Sequence, residues 1–317
     1  MTTYLVTGGC GFIGSHIAEA LVDKEQIVII YDDLSSGYER NIAGFRDKIT
    51  FIEADIRDVR ALRDAMQGVD YVFHEAALVS VFDSVERPLE NHDINITGTL
   101  NVLVAARECG VKRVVVASSA AVYGDDPALP KTEEMVPSPE SPYALAKIVN
   151  EHYMRMFANL YGLETVVLRY FNVYGPRQDP GSMYSGVIAK FSDDILAGRN
   201  PTVFGDGLQT RDFIFVRDVV EANFLAMNNR NLGKGEVFNI ATGRRTSLLN
   251  LLDILKDLIG KNVNPRFKDA RLGDVRHSVA DITWAQRELG FTPRYDIREG
   301  LGELLEKSVK EGKDNMR

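Results

Sequence analysis

The chain has few cysteines, no excess of positive charge and no pattern of metal ligands. Its 317 residues include two cysteines, Cys10 and Cys109, whose wide separation suggests no disulfide framework, and we expect a reduced, cytoplasmic setting. The net charge of −8 leaves no basic field for nucleic acid, so a few placed arginines must hold any anionic ligand. The five histidines show no metal spacing, and the sequence therefore predicts that no metal is needed.

Long apolar runs are also absent. The chain enters a predicted strand at Tyr4, which leaves no room for a signal peptide, and no apolar run approaches membrane-spanning length. The 45% hydrophobic and 26% charged residues are typical of a globular protein with ample core. We therefore expect a soluble, unexported protein with neither a nucleic acid nor a membrane as partner.

Short β-branched runs alternate with amphipathic stretches in the first half of the chain. Strands that are apolar throughout, joined by helices, predict a parallel sheet covered on both faces, which is a doubly wound α/β fold of the Rossmann type. The predicted strands are residues 4–7, 27–31, 49–53, 71–75, 114–118 and 166–170, and the predicted helices are residues 13–24, 58–66, 94–109 and 141–161.

The alternation of strands and helices becomes less regular in the second half of the chain. Loop residues follow Asn172, then a helix is predicted over residues 187–197, a glycine-rich turn at 204–207 and a last helix from Ile297. We predict that residues 1–171 form a dinucleotide-binding domain, to which the chain returns around 211–240. Residues 172–317 are predicted to form mainly a smaller, mixed α/β substrate domain.

Glycines punctuate the segment between the first predicted strand and helix. Gly8 permits a sharp turn, and Gly14 allows the helix to pack closely on the sheet. Gly11 lets a pyrophosphate approach the backbone N–H groups of the helix N-terminus, at Phe12 and Ile13. A glycine turn without a ligand is the alternative, but the flanking strand and helix favour a dinucleotide site.

Carboxylates follow the second and third predicted strands. Asp32 and Asp33 end the second strand, where a carboxylate binds the adenine ribose hydroxyls and repels a 2′-phosphate, so NAD is favoured over NADP. Asp55 and Ile56 are placed to contact adenine. The alternatives are a turn aspartate at Asp32 and a helix cap at Asp55.

Tyr143 and Lys147 are four residues apart on one predicted helix face. A free phenol has a pKa of about 10, so it acts as a base at neutral pH only if positive charge stabilises the phenolate. Lys147 and a bound nicotinamide ring supply that charge, and the ammonium also holds the nicotinamide ribose. Ser118 and Ser119 end the fifth strand, where Ser119 can orient a reacting hydroxyl; strand-end capping is the alternative.

Motifs spread over nearly the whole chain resemble the extended short-chain dehydrogenase/reductases, and within them the UDP-sugar 4-epimerase group. They are GGCGFIG at 8–14, HEAA at 74–77, NITGT at 95–99, SSAAVYG at 118–124, SPY at 141–143, RYFN at 169–172 and RD at 211–212. The resemblance implies an NAD-dependent enzyme that oxidises a UDP-hexose at C4 to a ketone and returns hydride to the opposite face.

The same resemblance implies roles for individual residues. Tyr143 is the catalytic base, Lys147 its modulator and Ser119 the hydroxyl-orienting partner. Cofactor residues are Ala76, Ala77, Asn95, Ser118 and Tyr170, in addition to those of the glycine turn and the strand ends. Substrate residues are Asn172 at the sugar nucleotide and Arg211 and Arg271 at the diphosphate; a surface ion pair is the alternative for both arginines.

Within the family that the chain resembles, the residues at two places in this sequence narrow the expected activity. Dehydratases and decarboxylases usually place acids where this chain has Ala120 and Ala121, so epimerisation is favoured. Ser278 matches a gatekeeper beside the sugar 2-substituent, where a small residue leaves room for an N-acetyl group. We therefore expect UDP-Glc/UDP-Gal and UDP-GlcNAc/UDP-GalNAc interconversion.

Two further readings stay open at this stage. A UDP-glucuronate 4-epimerase would need a cation near the sugar C6, and Arg177, Lys190 and Arg199 are the candidates. A protein that only senses NAD is the alternative outside enzymes, although Tyr143 and Lys147 are both present. The resemblance also implies a homodimer, formed by the helices over residues 94–109 and 149–161.

Overall fold

The structure of the protein is a computed structural model that describes residues 1–179, 186–270 and 275–314, with side chains to residue 306 in the last helix. The strands are β1 Thr3–Thr7, β2 Ile27–Asp32, β3 Thr50–Glu53, β4 Tyr71–His74, β5 Arg113–Ser119, β6 Glu164–Tyr170, β7 Asn172–Tyr174, β8 Thr202–Phe204, β9 Thr210–Arg211, β10 Phe213–Phe215, β11 Lys234–Ile240, β12 Thr246–Ser247 and β13 Arg266–Lys268. The helices are α1 Phe12–Asp23, α2 Val59–Ala65, α3 Val81–Glu86, α4 Pro88–His92, α5 Gly98–Glu108, α6 Pro142–Tyr161, α7 Val187–Leu196, α8 Val216–Asn228, α9 Leu248–Ile259 and α10 Ile297–Asp314.

Seven parallel strands form the main sheet, in the order β11-β6-β5-β4-β1-β2-β3. The strand order reverses between β1 and β4, and in open α/β sheets ligands bind at the carboxyl ends of the strands at such a point. The predicted doubly wound fold is confirmed. The six predicted strands begin and end within two residues of the observed ones.

Helices cover both faces of this sheet. α1 and α8 pack on one face, where Ile17, Leu21 and Val219 join the inward residues Val6 and Ile30. α2, α5 and α6 cover the other face, where their apolar residues meet the alternate positions of the same strands. Because both faces are covered, the strands are apolar at successive positions, which is why their sequences lack the alternation of half-exposed strands.

A second apolar cluster lies among the later elements. Phe191 of α7, Leu252 of α9 and Leu301 of α10 pack together with Val203 of β8 and Phe215 of β10. α8 and β11 rejoin the first sheet, since β11 pairs with β6 along its length. The division at residue 171 stays a prediction, although this return of the chain falls inside the expected range of 211–240.

The described ranges hold no helix with both the length and the apolar character needed to cross a membrane. They also hold no group of three or more histidine, cysteine or acidic side chains arranged to bind a metal ion.

Candidate active site

The turn between β1 and α1 is so tight that there is no room for a side chain at Gly8 or at Gly14. Gly8 has a φ of +66°, and a Cβ there would lie 2.7 Å from the backbone N of Ala76. A Cβ on Gly14 would lie 2.2 Å from the carbonyl O of Gly8. Gly11, the residue before α1, supplies no side-chain cap, so the N–H groups of the first turn, from Phe12 onward, are not capped. This cradle fits the pyrophosphate of a dinucleotide, as the sequence predicts.

Asp32 lies directly beside that turn, at the carboxyl end of β2. It is 6% exposed, and its two oxygens accept hydrogen bonds from the backbone N of Cys10 (2.9 Å) and of Leu34 (2.8 Å). Burial raises its pKa, and the two backbone hydrogen bonds oppose that shift. Each oxygen keeps a second lone pair, so the carboxylate can still accept from ribose hydroxyls. Asp33 is exposed and bonds to Ser35 instead.

Asp55 and Ile56 follow β3 with different surroundings. Asp55 pairs with Arg57, with Nε and Oδ2 2.8 Å apart, and this hydrogen bond lowers the pKa of the carboxyl. Ile56 is buried against Gly98, where a Cβ would lie 2.5 Å from its Cδ1. Asp58, not Asp55, caps α2. The capping alternative for Asp55 therefore fails, and its contact with adenine stays a prediction.

Asn95 organises the loop after β4 that carries Ala76 and Ala77. Its Oδ1 accepts from the backbone N of Leu78 (2.8 Å), and its Nδ2 donates to the Leu78 carbonyl (2.9 Å) and to Asn91 (2.7 Å). Both amide donors are thus occupied. Asn95 holds the loop in place, which limits its direct part in any cofactor contact to a remaining acceptor lone pair.

Tyr143, Lys147 and Ser119 come together at the carboxyl edge of the sheet. Tyr143 is 8% and Lys147 4% exposed, and the Lys147 ammonium lies 5.6 Å from the centre of the Tyr143 ring. It donates to the Ala117 carbonyl at 2.8 Å. Burial raises the pKa of Tyr143, whereas its hydrogen bond with Ser119 lowers it. The predicted trio is therefore in mutual reach, with a phenol that needs added positive charge to ionise.

Ser118 has a structural role in the described contacts. Its Oγ donates to Glu151 at 2.6 Å, and Glu151 also accepts both hydrogen bonds of a bidentate pair with Arg169, at 2.8 and 2.7 Å. Arg169 donates further to Tyr123 at 2.8 Å. All four side chains are buried. This network fixes β5, β6 and α6 relative to one another directly behind the site.

Glu75, which belongs to the HEAA motif at residues 74–77, directly follows β4 at the same edge of the sheet. The Tyr170 hydroxyl donates to its Oε1 at 2.9 Å, and Asn223 of α8 donates to that hydroxyl at 2.8 Å. Burial raises the pKa of Glu75 to about 7. A strand-end carboxyl inside the HEAA motif was the available signal for this residue.

The substrate residues named from sequence lie on neighbouring segments, with one exception. Asn172 begins β7 with an exposed side chain, and Arg211 lies in β9, where Nη1 donates to the Thr210 carbonyl at 2.9 Å. The Ser278 backbone donates to that same Thr210 carbonyl at 3.1 Å, so Ser278 and Arg211 are neighbours. Arg271 lies outside the described residues.

The expected alternative for Arg211, an ion pair with Asp212, finds no support in the bonding of Asp212. That carboxylate is fully buried and accepts hydrogen bonds from Thr242 and from the backbone of Gly243 and Ala280. It fixes two loop segments, at Thr242–Gly243 and at Ala280, and is therefore engaged away from Arg211.

A strap formed by residues 176–179 crosses from β7 to α1 and the loop after β2. His16 bonds to the Pro176 carbonyl at 3.0 Å, and Arg177 pairs with Glu19 at 2.7 Å. Tyr38 donates to Asp179 at 2.7 Å. No sequence pattern pointed to these contacts, which connect residues more than 140 positions apart.

The fold and the site define a class of protein: a nicotinamide-dinucleotide enzyme of the short-chain dehydrogenase/reductase type. The comparisons are more specific, because residues 4–241 match the model of the NAD dependent epimerase/dehydratase family. The chain belongs to this family. The expectations of family membership, of an NAD-dependent epimerase and of NAD as the cofactor are thereby confirmed.

Named relatives align over almost the full chain. It is 44% identical to a putative UDP-glucose 4-epimerase of Methanocaldococcus jannaschii, over 95% of this chain and 96% of the relative. The solved UDP-glucose 4-epimerase of Thermotoga maritima with UDP-glucose is 41% identical, has a TM-score of 0.93 and covers 98% of this chain and 99% of its own. The UDP-N-acetylglucosamine 4-epimerase of Methanobrevibacter ruminantium M1, solved with UDP-N-acetylmuramic acid, is 40% identical, with the same TM-score and coverage.

Proposed function

We propose that this protein inverts C4 of UDP-hexoses, interconverting UDP-Glc with UDP-Gal and UDP-GlcNAc with UDP-GalNAc. One observation carries the proposal: the buried Tyr143 and Lys147 and the half-buried Ser119 come together at the same carboxyl edge of the sheet as the dinucleotide cradle, and the residues that follow Ser119 are Ala120 and Ala121. The segment after Ser119 thus adds no second acid beside Tyr143, which suits epimerisation better than elimination or decarboxylation.

Bound NAD supplies a hydride acceptor that returns the hydride within the same catalytic cycle. The residues that would hold it are the glycine turn from Gly8 to Gly14, Asp32, the loop at Ala76 and Ala77, and Lys147. The Asp32 carboxylate beside the turn disfavours a 2′-phosphate, which supports NAD over NADP.

The proposed proton transfer uses the trio directly. The Ser119 hydroxyl orients the sugar C4 hydroxyl, and the Tyr143 oxygen takes its proton as C4 becomes a ketone. Lys147 stabilises the phenolate because its ammonium is buried beside the ring. After the keto sugar has rotated to present its opposite face, the Tyr143 hydroxyl returns the proton to the C4 oxygen.

Inversion requires a sugar that can turn while its diphosphate stays fixed. Arg211 is suited to the diphosphate because a planar guanidinium grips phosphate oxygens in pairs. Its neighbour Ser278 is small and half-buried, which supports the proposal that the pocket admits an N-acetyl group at C2.

A coupled assay on all four UDP-hexoses tests the proposal. We expect turnover of the plain and the N-acetylated forms, loss of the N-acetylated activity in Ser278→Tyr and retention of both in the control Ser278→Ala. Turnover of UDP-Glc and UDP-Gal alone by the wild-type protein would refute the N-acetyl part. Unchanged N-acetyl activity in Ser278→Tyr would refute the gatekeeper role.

The alternative substrate, UDP-glucuronate, gains little support from two of the three candidate cations, Arg177 and Arg199. Arg177 pairs with Glu19 on α1, and Arg199 is exposed and pairs with Asp193 and Asp194. Both guanidinium groups are thus engaged by carboxylates. Epimerisation of UDP-glucuronate at a rate above that of UDP-Glc would favour the alternative.

We also propose that the protein is a homodimer. Exposed apolar side chains on α6, and on α4 just before the expected range 94–109, support this: Leu160 (66% exposed) and Leu145 (51%) on α6 and Leu89 (81%) on α4. Sedimentation equilibrium should give a dimer, and Leu160→Glu should give a monomer. Val136→Glu is the control, since Val136 is 85% exposed in a loop outside α6. A wild-type monomer would refute the proposal.

A further inference from the structure

Two threonine hydroxyls hold the imidazole ring of His74 at the carboxyl ends of β1 and β4. Thr7 Oγ1 lies 2.7 Å from Nδ1 of the ring, and Thr99 Oγ1 of α5 lies 2.9 Å from Nε2. Each of the three residues is at most 2% exposed. Because both ring nitrogens face hydroxyl groups, the protons of those hydroxyls decide which nitrogen of the ring carries hydrogen.

The hydrogen positions follow from the other bonds that the two threonines make. Thr99 Oγ1 donates its single proton to the Asn95 carbonyl at 2.7 Å, so it can only accept from His74 Nε2. A neutral ring then has no hydrogen on Nδ1, and Thr7 Oγ1 donates to that nitrogen. Thr7 Oγ1 also accepts from the backbone N of Ala76 at 3.3 Å. Burial lowers the pKa of His74 to about 3, which agrees with a neutral ring. We call this chain of hydrogen bonds, from Ala76 N to the Asn95 carbonyl, the His74 relay.

Both ends of the His74 relay fix the loop after β4 beside the dinucleotide cradle. At one end, Ala76 packs so closely on the glycine turn that a Cβ at Gly8 would lie 2.7 Å from its backbone N. At the other end, the Asn95 side chain holds the backbone N and carbonyl of Leu78. The loop that carries Ala76 and Ala77 is thus attached at one point to the end of β1 and at another to the turn before α5.

The same relay is connected to the helix that carries the proton-transfer pair. The Asn95 carbonyl, where the relay ends, also accepts from Nδ2 of Asn150 at 2.9 Å. Asn150 is buried and lies three residues after Lys147 on α6. The relay therefore joins β1, β4, α5 and α6 at the sheet edge where the cofactor cradle and Lys147 lie.

We propose that His74, as a neutral ring with its hydrogen on Nε2, is a positioning residue for the dinucleotide, which holds the loop at Ala76 and Ala77 against the Gly8 turn in the arrangement that binds NAD. The proposal rests on the proposed function in so far as this loop contacts NAD. His74 is itself buried and acts through the two threonines.

Thr7→Val removes one hydroxyl from the relay and keeps the shape of the side chain. The backbone N of Ala76 and Nδ1 of His74 then lose their partner, so the loop should move from the position that it holds in the wild-type protein. Calorimetric titration of NAD into the cofactor-free, full-length protein should show a dissociation constant about tenfold higher than that of wild type. Thr7→Ser keeps the hydroxyl and should bind NAD as wild type does.

Thr165→Val is the matched control for the loss of a buried threonine hydroxyl. Thr165 is fully buried, and its Oγ1 donates to the Met154 carbonyl at 2.8 Å, but it lies at the amino end of β6, away from the cofactor edge. Urea unfolding should show lower stability for both valine variants, whereas NAD affinity should fall only in Thr7→Val. Wild-type NAD affinity in Thr7→Val would show that the relay serves stability alone and would overturn the proposal, as would an equal loss of affinity in Thr165→Val.

Nuclear magnetic resonance of the wild-type protein tests the ring itself. In a long-range proton–nitrogen spectrum of the NAD-loaded protein, the signals of His74 are those that disappear in His74→Gln. We expect a neutral ring with hydrogen on Nε2 at about pH 7. A hydrogen on Nδ1 or a charged ring would overturn the relay. Neither measurement requires turnover, so inactivity towards every UDP-hexose would refute the proposed function and not this inference.

Discussion

Replacing Gly14 by alanine should open the dinucleotide turn. Gly14 belongs to the first turn of α1, where its missing side chain lets the helix approach the Gly8 carbonyl. An added Cβ would lie 2.2 Å from that oxygen, 2.9 Å from its carbon and 3.0 Å from the Gly9 Cα. Contacts between non-bonded heavy atoms are normally about 3.5 Å, so the backbone must yield by about 1 Å.

Two opposing terms set the size of the effect. Overpacking a tight contact costs about 1–3 kcal/mol, while alanine in a helix is favoured over glycine by about 0.5–1 kcal/mol. The free energy of unfolding should therefore fall by about 1–2 kcal/mol. A hydrogen bond to a charged group contributes about 1.5–3 kcal/mol. Displacing one N–H donor from the pyrophosphate should then weaken NAD binding about tenfold to a hundredfold.

Urea unfolding and calorimetric titration of NAD into cofactor-free protein measure the two effects. Gly302→Ala is the matched control, because Gly302 lies in helix α10 and a Cβ there meets nothing within 4 Å. We expect that control to stabilise the protein by about 0.5–1 kcal/mol and to leave NAD affinity unchanged. Wild-type NAD affinity in Gly14→Ala would show that the turn does not hold the pyrophosphate as inferred.

Four other changes test the site and its support. Tyr143→Phe should lower kcat by about 10²–10⁴-fold while bound NAD stays at the wild-type level, and an active variant would exclude Tyr143 as the base. Asp32→Asn should raise affinity for NADP relative to NAD about tenfold in equilibrium binding, and an unchanged ratio would contradict its role. Arg169→Met leaves Glu151 buried and unpaired, so urea unfolding should show a loss of about 3–5 kcal/mol; a loss below about 1 kcal/mol would contradict the pairing. Burial lowers the pKa of His74 to about 3; the unfolded chain then binds a proton that the folded chain does not, so stability should fall as the pH drops from about 6.5 towards 3, and His74→Gln should flatten that slope.

The main fold and the pairing of Tyr143 with Lys147 could be predicted from local sequence. The glycines from Gly8 to Gly14 have a local steric reason, and apolar runs joined by amphipathic stretches predict a parallel sheet with helices on both faces. The spacing of Tyr143 and Lys147 places them on one helix face whatever surrounds them. Ser119 ends the fifth strand, so it lies at the carboxyl edge of the sheet, where the helix that carries Tyr143 begins.

The tertiary structure decided what surrounds these residues. Asn95 was expected at the cofactor, but its amide group donates both of its hydrogen bonds to protein atoms, the Leu78 carbonyl and Asn91. Asp212, a potential partner of Arg211, is instead fixed by Thr242, Gly243 and Ala280. Such assignments depend on which loops meet, and the sequence around each residue does not specify that.

The sequence by itself determined the class of fold, the glycine turn and the pairing of Tyr143 with Lys147, to which we assign the proton transfer, because each of these depends on residues close together in the chain. Only the tertiary structure placed Glu75 against Tyr170, 95 residues away, and Asn223 behind them both. The order of strands in the sheet brings those side chains together. No local pattern in the sequence encodes this arrangement, because it depends on which strand ends lie side by side.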